Sequence, residues 1–137
     1  MLTSKCINPE IMSALACCGH GSKILIADGN YPLSEKAGNA KKVYLSLSRD
    51  VPTVTQVLKV IKGVVNIEKA TLMETDDGTE PQIHREFRTI LGNNIPIEKL
   101  FRYDFYDACS GESGPVLVIG TGDTRRFGNI LITIDCV

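Results

Sequence analysis

No stretch of this sequence approaches the roughly 20 consecutive apolar residues that a membrane-spanning helix requires. The N-terminal "MLTSKCINPEIMSALACC" has a lysine but no long apolar segment after it, because Pro9 and Glu10 interrupt it. It does not read as a secretory leader. A surplus of charge is missing too: fifteen basic and sixteen acidic residues leave a formal net charge of −1. That balance gives no electrostatic reason to expect nucleic acid or an anionic membrane as partner, and it is compatible with self-association. The cysteines lack a pattern. Cys6, Cys17, Cys18, Cys109 and Cys136 make an odd count without Cys-x-x-Cys spacing, which argues against a disulfide framework and against a tetrahedral metal site. Buried free thiols in a reducing cytoplasm are the expectation.

Motif absences narrow the chemistry. There is no Gly-x-x-x-x-Gly-Lys-Ser/Thr, and Gly120, Gly122 and Gly128 do not complete a dinucleotide fingerprint. No Gly-x-Ser-x-Gly marks a nucleophile elbow. Internal repeats, low-complexity tracts and linkers are also missing, so residues 1–137 read as one domain.

What is present is a chain with 43% hydrophobic residues in alternating periods. Asn8-Pro9-Glu10 is a helix start, with Ile11, Met12, Leu15 and Ala16 on one stripe and Gly19 as the stop. "KILIAD" is a strand of the buried type, "KVYLSL" at 42–47 a second, and "GNYPLSEKAGNA" a loop between them. Thr53 and Gln56 form a capping box ahead of a core-facing helix carrying Val54, Val57, Leu58, Ile61, Val64 and Val65. "KATLMET" is a third strand, and Ile83, Phe87, Ile90 and Leu91 share a helix face that leaves His84 on the polar side. "EKLFRYDF" fits either a fourth strand or the approach to a short helix. "PVLVIGT" and "NILITID" are closing strands, either a hairpin or non-adjacent, joined by "GDTRRFG". Strands alternating with helices predict an α/β layered fold, a largely parallel central sheet flanked by helices.

Three clusters are candidates for chemistry. His20 lies between Gly19 and Gly21 ahead of a strand that ends at Asp28. Glycines clear space near an imidazole, and polar residues at strand ends are a common way to present reactive groups. The pattern equally fits a loop histidine with one hydrogen bond and a turn-forming aspartate before Gly29-Asn30. Spacing alone does not bring His20 and Asp28 into one pocket. The second cluster is Arg102, Tyr103 and Tyr106, and the third is "TGDTRRFGN".

Together, Gly19-His20-Gly21, "KILIAD" and "GNYP" resemble the L-fucose mutarotase and D-ribose pyranase family. "VPTVTQVLKVI" has the look of the pyranase branch, and "RYDFYDA" followed by "RRFGNILI" that of the fucose branch. The resemblance runs along nearly the whole chain in order. It implies an enzyme that interconverts cyclic forms of a free monosaccharide without metal or organic cofactor. L-fucose is the leading substrate; D-ribose pyranase and a non-catalytic sugar-binding or transport-accessory protein are the alternatives. It assigns His20 as proton donor and Asp28, Arg102, Phe127, Gly128 and Asn129 as sugar-binding positions. Tyr106 is a possible second proton-transfer group, and Tyr31 a possible apolar face for the sugar. The same resemblance implies a ring-shaped homo-oligomer, commonly a decamer, with sites near subunit contacts. Departures are Phe127 where the family often has tyrosine, and Asn30 and Tyr31 where the fucose branch often has histidine and phenylalanine.

Overall fold

The computed structural model describes residues 1–137, and its helices begin where side chains can cap them. Asn8 accepts the Ile11 N–H at 3.0 Å and opens α1 (Pro9–Ala16). Thr53 accepts the Gln56 N–H while Gln56 accepts the Thr53 N–H, at 3.3 and 2.8 Å, and α2 (Val54–Lys62) follows. Two of the four orphan donors at that helix end are thereby satisfied. The remaining elements are β1 (Lys23–Ala27), β2 (Lys41–Tyr44), β3 (Ile67–Met73), α3 (Gln82–Leu91), β4 (Ile97–Leu100), α4 (Arg102–Ser110), β5 (Leu117–Gly120) and β6 (Ile130–Ile134).

The six strands form one sheet in the order β2-β5-β1-β6-β3-β4. Only β6 runs against its neighbours; every other pairing is parallel. This is the expected largely parallel α/β sheet. β1 lies in its interior, with Ile24 through Ala27 wholly inaccessible to solvent, as a continuous apolar run requires of a strand covered on both faces. On one face Ile24 and Ile26 pack with residues of α1, α2 and α3. On the other, Leu25 and Ala27 pack with Phe105 and Cys109 of α4 and with Tyr31, Leu33 and Ala37 of the loop after β1. No helix is long and apolar enough to cross a membrane.

Several local expectations are resolved or corrected. "EKLFRYDF" is both alternatives in succession, since β4 ends at Leu100 and α4 begins at Arg102. The strand expected at 42–47 stops at Tyr44, because β2 is an edge strand and its partner β5 ends opposite it at Gly120. The closing strands are not a hairpin: β1 lies between them. His84 is not on the surface but fully buried; its helix packs between the sheet and a loop, so the side expected to be polar is covered as well. Of the cysteines, Cys6 and Cys109 are buried as expected, whereas Cys17 and Cys136 are exposed.

Because β5 and β6 flank β1, the chain between them must cross the carboxyl end of β1. That crossing is residues 121–129, and it is clamped. Asp123 accepts the Val54 N–H at the start of α2 at 3.0 Å. Arg125 grips the same carboxylate through Nε and Nη2, at 2.9 and 2.7 Å, and reaches Glu86 of α3 at 2.8 Å. Burial pushes the Asp123 carboxyl up, but the Arg125 fork together with the Arg125 and Val54 N–H groups holds it below the ordinary carboxylate range. Removing one partner leaves the other's charge unmatched in a partly desolvated place. Asp123→Ala is therefore expected to destabilise the fold by about 2–3 kcal/mol. Urea unfolding checks this, and a loss under about half a kcal/mol would show that the clamp is dispensable.

Candidate active site

The carboxyl end of β1 meets the crossing loop through direct bonds. Ala27 C=O accepts both the backbone N–H and the hydroxyl of Thr121, at 3.0 and 2.8 Å, and Gly29 N–H donates to the Asp123 carbonyl at 2.8 Å. Between these ties sits Asp28, 2% exposed. Its Oδ1 accepts the Asn30 N–H at 2.8 Å, and its Oδ2 accepts the Gly128 N–H at 2.9 Å and the Asn129 side-chain amide at 3.1 Å. Asn129 closes the exchange by accepting the Asp28 N–H on Oδ1 at 2.9 Å. The bond pattern thus orients the amide unambiguously.

The valences count out usefully. A carboxylate has about four acceptor positions and an amide NH₂ two donor hydrogens. Three of the Asp28 positions are occupied, which leaves one, on Oδ1. One Asn129 N–H is occupied, which leaves the other. Asn129 Oδ1, with two acceptor positions of its own, keeps one after taking the Asp28 N–H. The pair therefore has two acceptors and one donor to spare, a set that sugar hydroxyls, themselves donors and acceptors, can use. Burial pushes the Asp28 carboxyl above its ordinary range, with the Asn30 and Gly128 N–H groups pulling it partway back.

The glycine at 128 suits this close approach. A Cβ there would lie 3.0 Å from the Arg125 carbonyl and 3.3 Å from Asp28 Cβ. Phe127, just before it, holds a left-handed backbone with φ 59°, a conformation that L-residues rarely adopt. Its ring is covered by the Arg102 guanidinium, 5.7 Å from the centroid, within cation–π range. Arg102 Nη2 is also 3.7 Å from Asp76.

These residues line a cavity of about 310 Å³, at the small end of the roughly 300–1,000 Å³ typical of small-molecule sites. Asp28, Asn30, Asn129, Arg102 and Arg126 supply its polar wall, and Tyr31, Met73, Tyr106 and Phe127 its apolar one. The Tyr31 hydroxyl is engaged, donating to the Lys36 carbonyl at 2.7 Å, so this residue offers only its ring. That ring meets Tyr106 edge-on at 5.4 Å. Burial pushes the Tyr106 phenol up, with Arg102 opposing; Tyr106 is a hydroxyl donor at neutral pH, not a phenolate.

Six of the eight sequence candidates (Asp28, Arg102, Tyr106, Phe127, Asn129 and Tyr31) line this one cavity, and Gly128 touches it through Asp28. Tyr103 is exposed and Phe105 belongs to the core. His20 lies elsewhere. It precedes β1 whereas Asp28 follows it, so the two stand at opposite ends of that strand, roughly 20 Å apart at about 3.3 Å per strand residue. His20 is exposed, with Nε2 3.3 Å from Glu68. Gly21 beside it has φ 82°, which accounts for one of the two flanking glycines. Sequence reasoning overlooked Met73 and Arg126. The only signal for Met73 was its place at the end of a strand, and for Arg126 its place beside Phe127.

The sequence pattern of the RbsD / FucU transport protein family matches residues 1–137. The D-ribose pyranase of Halalkalibacterium halodurans is 30% identical over 127 residues, covering 92% of this chain and 91% of that one. Among solved structures, Bacillus subtilis RbsD complexed with D-ribose superposes with a TM-score of 0.87 at 21% identity, over 100% of this chain and 99% of that one. The fucose mutarotase of Streptococcus pneumoniae in complex with L-fucose has a TM-score of 0.82 at 23% identity, over 96% and 94%.

The raised Asp28 carboxyl makes a signed prediction. A carboxyl that binds its proton more tightly when folded adds stability below its unfolded range, and that increment is lost as pH rises through the folded value. The stability of wild type relative to Asp28→Asn should therefore fall with increasing pH across the acid range. Urea unfolding of both proteins at a series of pH values checks it; a difference that grows with pH contradicts it.

Proposed function

This chain belongs to the RbsD / FucU transport protein family, and from that premise we propose that it is an isomerase that opens and recloses the ring of a free monosaccharide. The observation that carries the reading is the buried Asp28–Asn129 pair, with its two spare acceptors and one spare donor, set in a cavity with one polar and one apolar wall.

The chemistry asks for little beyond such a site. A cyclic hemiacetal opens when its anomeric hydroxyl loses a proton and its ring oxygen gains one. Reclosure on the other face of the aldehyde gives the other anomer, and reclosure through a different hydroxyl converts pyranose to furanose. No electrons leave the sugar, so the reaction calls for an acid and a base, each contributing about 10²- to 10⁴-fold. Asp28 accepts a sugar hydroxyl on Oδ1, and the free Asn129 N–H donates to the next oxygen. Arg102 and Arg126 supply further donors at the rim. The rings of Phe127 and Tyr106 take the C–H side of the sugar, and the Tyr106 hydroxyl donates a hydrogen bond. The acid is His20, since imidazole is the side chain that most often serves in general acid–base catalysis. It reaches a pocket from a neighbouring copy in a homo-oligomeric ring, commonly decameric in the family that the sequence resembles. Supporting this arrangement is the exposure of the imidazole at the end of β1 opposite its own chain's cavity.

Two sugars fit. L-fucose is favoured by the apolar wall of Met73, Tyr31 and Phe127, which would receive a methyl substituent, and by Arg102 with its following aromatic run. D-ribose is the second reading, favoured by the curated relative at 30% identity. Saturation-transfer NMR on fucose, ribose, galactose and glucose distinguishes them, the preferred sugar showing the fastest enzyme-dependent exchange at sub-stoichiometric protein. Signals perturbed only in proportion to protein concentration would indicate binding without catalysis. His20→Ala is expected to slow exchange by about 10²- to 10⁴-fold; a folded variant that exchanges sugar at the wild-type rate removes His20 as the acid. Light scattering tests the ring, and a monomer that turns over sugar contradicts the shared site.

A further inference from the structure

We propose that His84 is a positioning residue: it holds the Phe127–Gly128 peptide in the one orientation that lets Gly128 N–H bind the Asp28 carboxylate. In a trans peptide the C=O and N–H point in opposite directions from one plane. Both ends of this particular plane are gripped. The Phe127 carbonyl lies 3.0 Å from His84 Nε2, and the Gly128 N–H donates to Asp28 Oδ2 at 2.9 Å. A carbonyl only accepts, so Nε2 carries the hydrogen and Nδ1 is the bare nitrogen.

The surroundings enforce that state. His84 is wholly buried, its ring stacks on Phe87 with centroids 6.2 Å apart, and Nδ1 has no hydrogen-bond partner. An unmatched buried polar atom is costly, and a histidine kept only for bulk could be replaced by an apolar residue without one. The cost is explained if Nε2–H has work to do. Phe127 supplies the reason, because its left-handed backbone is a sparsely populated state that surrounding contacts must hold in place. Burial also lowers the proton affinity of His84, with the Phe127 carbonyl and Glu80 opposing and Lys99 and Arg88 reinforcing, so the ring stays neutral. The groups facing Asp28 are Asp123 on the crossing loop and Tyr106 of α4, with Arg102 and Arg126 lining the same cavity. None of them replaces the Gly128 N–H. Without the grip on Phe127 the peptide is free to rotate, Asp28 loses a donor, and Asn129, next along the chain, loses its register.

The kinetic consequence rests on the sugar-binding reading of Asp28; the structural one does not. The test compares His84→Leu, which fills the space without a donor, with His84→Gln, which restores an N–H. In His84→Leu the Asp28 carboxyl, followed by its ¹³Cγ shift, should titrate at higher pH, and sugar exchange should fall in kcat/KM by about tenfold. His84→Gln should recover most of both. A purely structural histidine would lower the melting temperature of His84→Leu but leave the Asp28 titration in place, and that result overturns the proposal. Should His84→Leu fail to fold, ¹⁵N NMR of the wild-type imidazole decides: the Nε2–H tautomer at neutral pH is expected, and the Nδ1–H tautomer refutes the grip. A protein that moves no sugar but gives the expected Asp28 and tautomer results loses the isomerase reading alone.

Discussion

A carboxylate taken out of water at the end of a central strand is the constraint from which the rest follows. Asp28 cannot lie buried beside an apolar strand unless its oxygens are matched, since an isolated buried charge is far too costly. Local backbone offers one donor, Asn30. The other two come from Gly128 and Asn129, about a hundred residues further along. The crossing loop is therefore not an ornament on the sheet. Its placement is the condition under which Asp28 can be where it is.

Sheet topology makes that placement possible. With β5 and β6 on either side of β1, any connection between them must pass over one end of β1, and strand polarity selects the carboxyl end. Ligands in open α/β sheets commonly bind outside the carboxyl ends of strands. Here the antiparallel β6 begins at that same end, so the residues just before its start, Gly128 and Asn129, contribute to the site. The Asp123–Arg125–Glu86 clamp then ties the loop to the start of α2 and to α3. The site is thus held from α2 and α3 on one sheet face and from α4, carrying Arg102 and Tyr106, on the other.

The match of the Asp28 and Asn129 valences is also what separates this cavity from an incidental hollow. Beyond the bonds that hold them, the two side chains keep a donor and two acceptors free for a ligand in the cavity they line. His84 shows the same economy in reverse, with one nitrogen committed to the loop and the other left bare.

What was legible in the sequence were the features set by neighbours along the chain. Asn8 and Thr53 cap their helices through bonds three residues long, "ILIA" at 24–27 is buried because every one of its side chains is apolar, and the α/β alternation follows from the change of hydrophobic period. Local order also marked Asp28 as a candidate, since a polar residue at a strand end stands out in a string, whereas Gly128 and Asn129 became candidates through the family resemblance. Tertiary structure decided everything that depends on strands meeting. Residue order leaves open whether β5 and β6 pair with each other; insertion of β1 between them is a property of the whole sheet. His84 read as polar because helical periodicity describes a helix with one covered side, whereas the crossing loop covers a second. And the separation of His20 from Asp28 follows from strand length alone, about 3.3 Å for each residue between two ends of a sheet, a distance that proximity in sequence disguises.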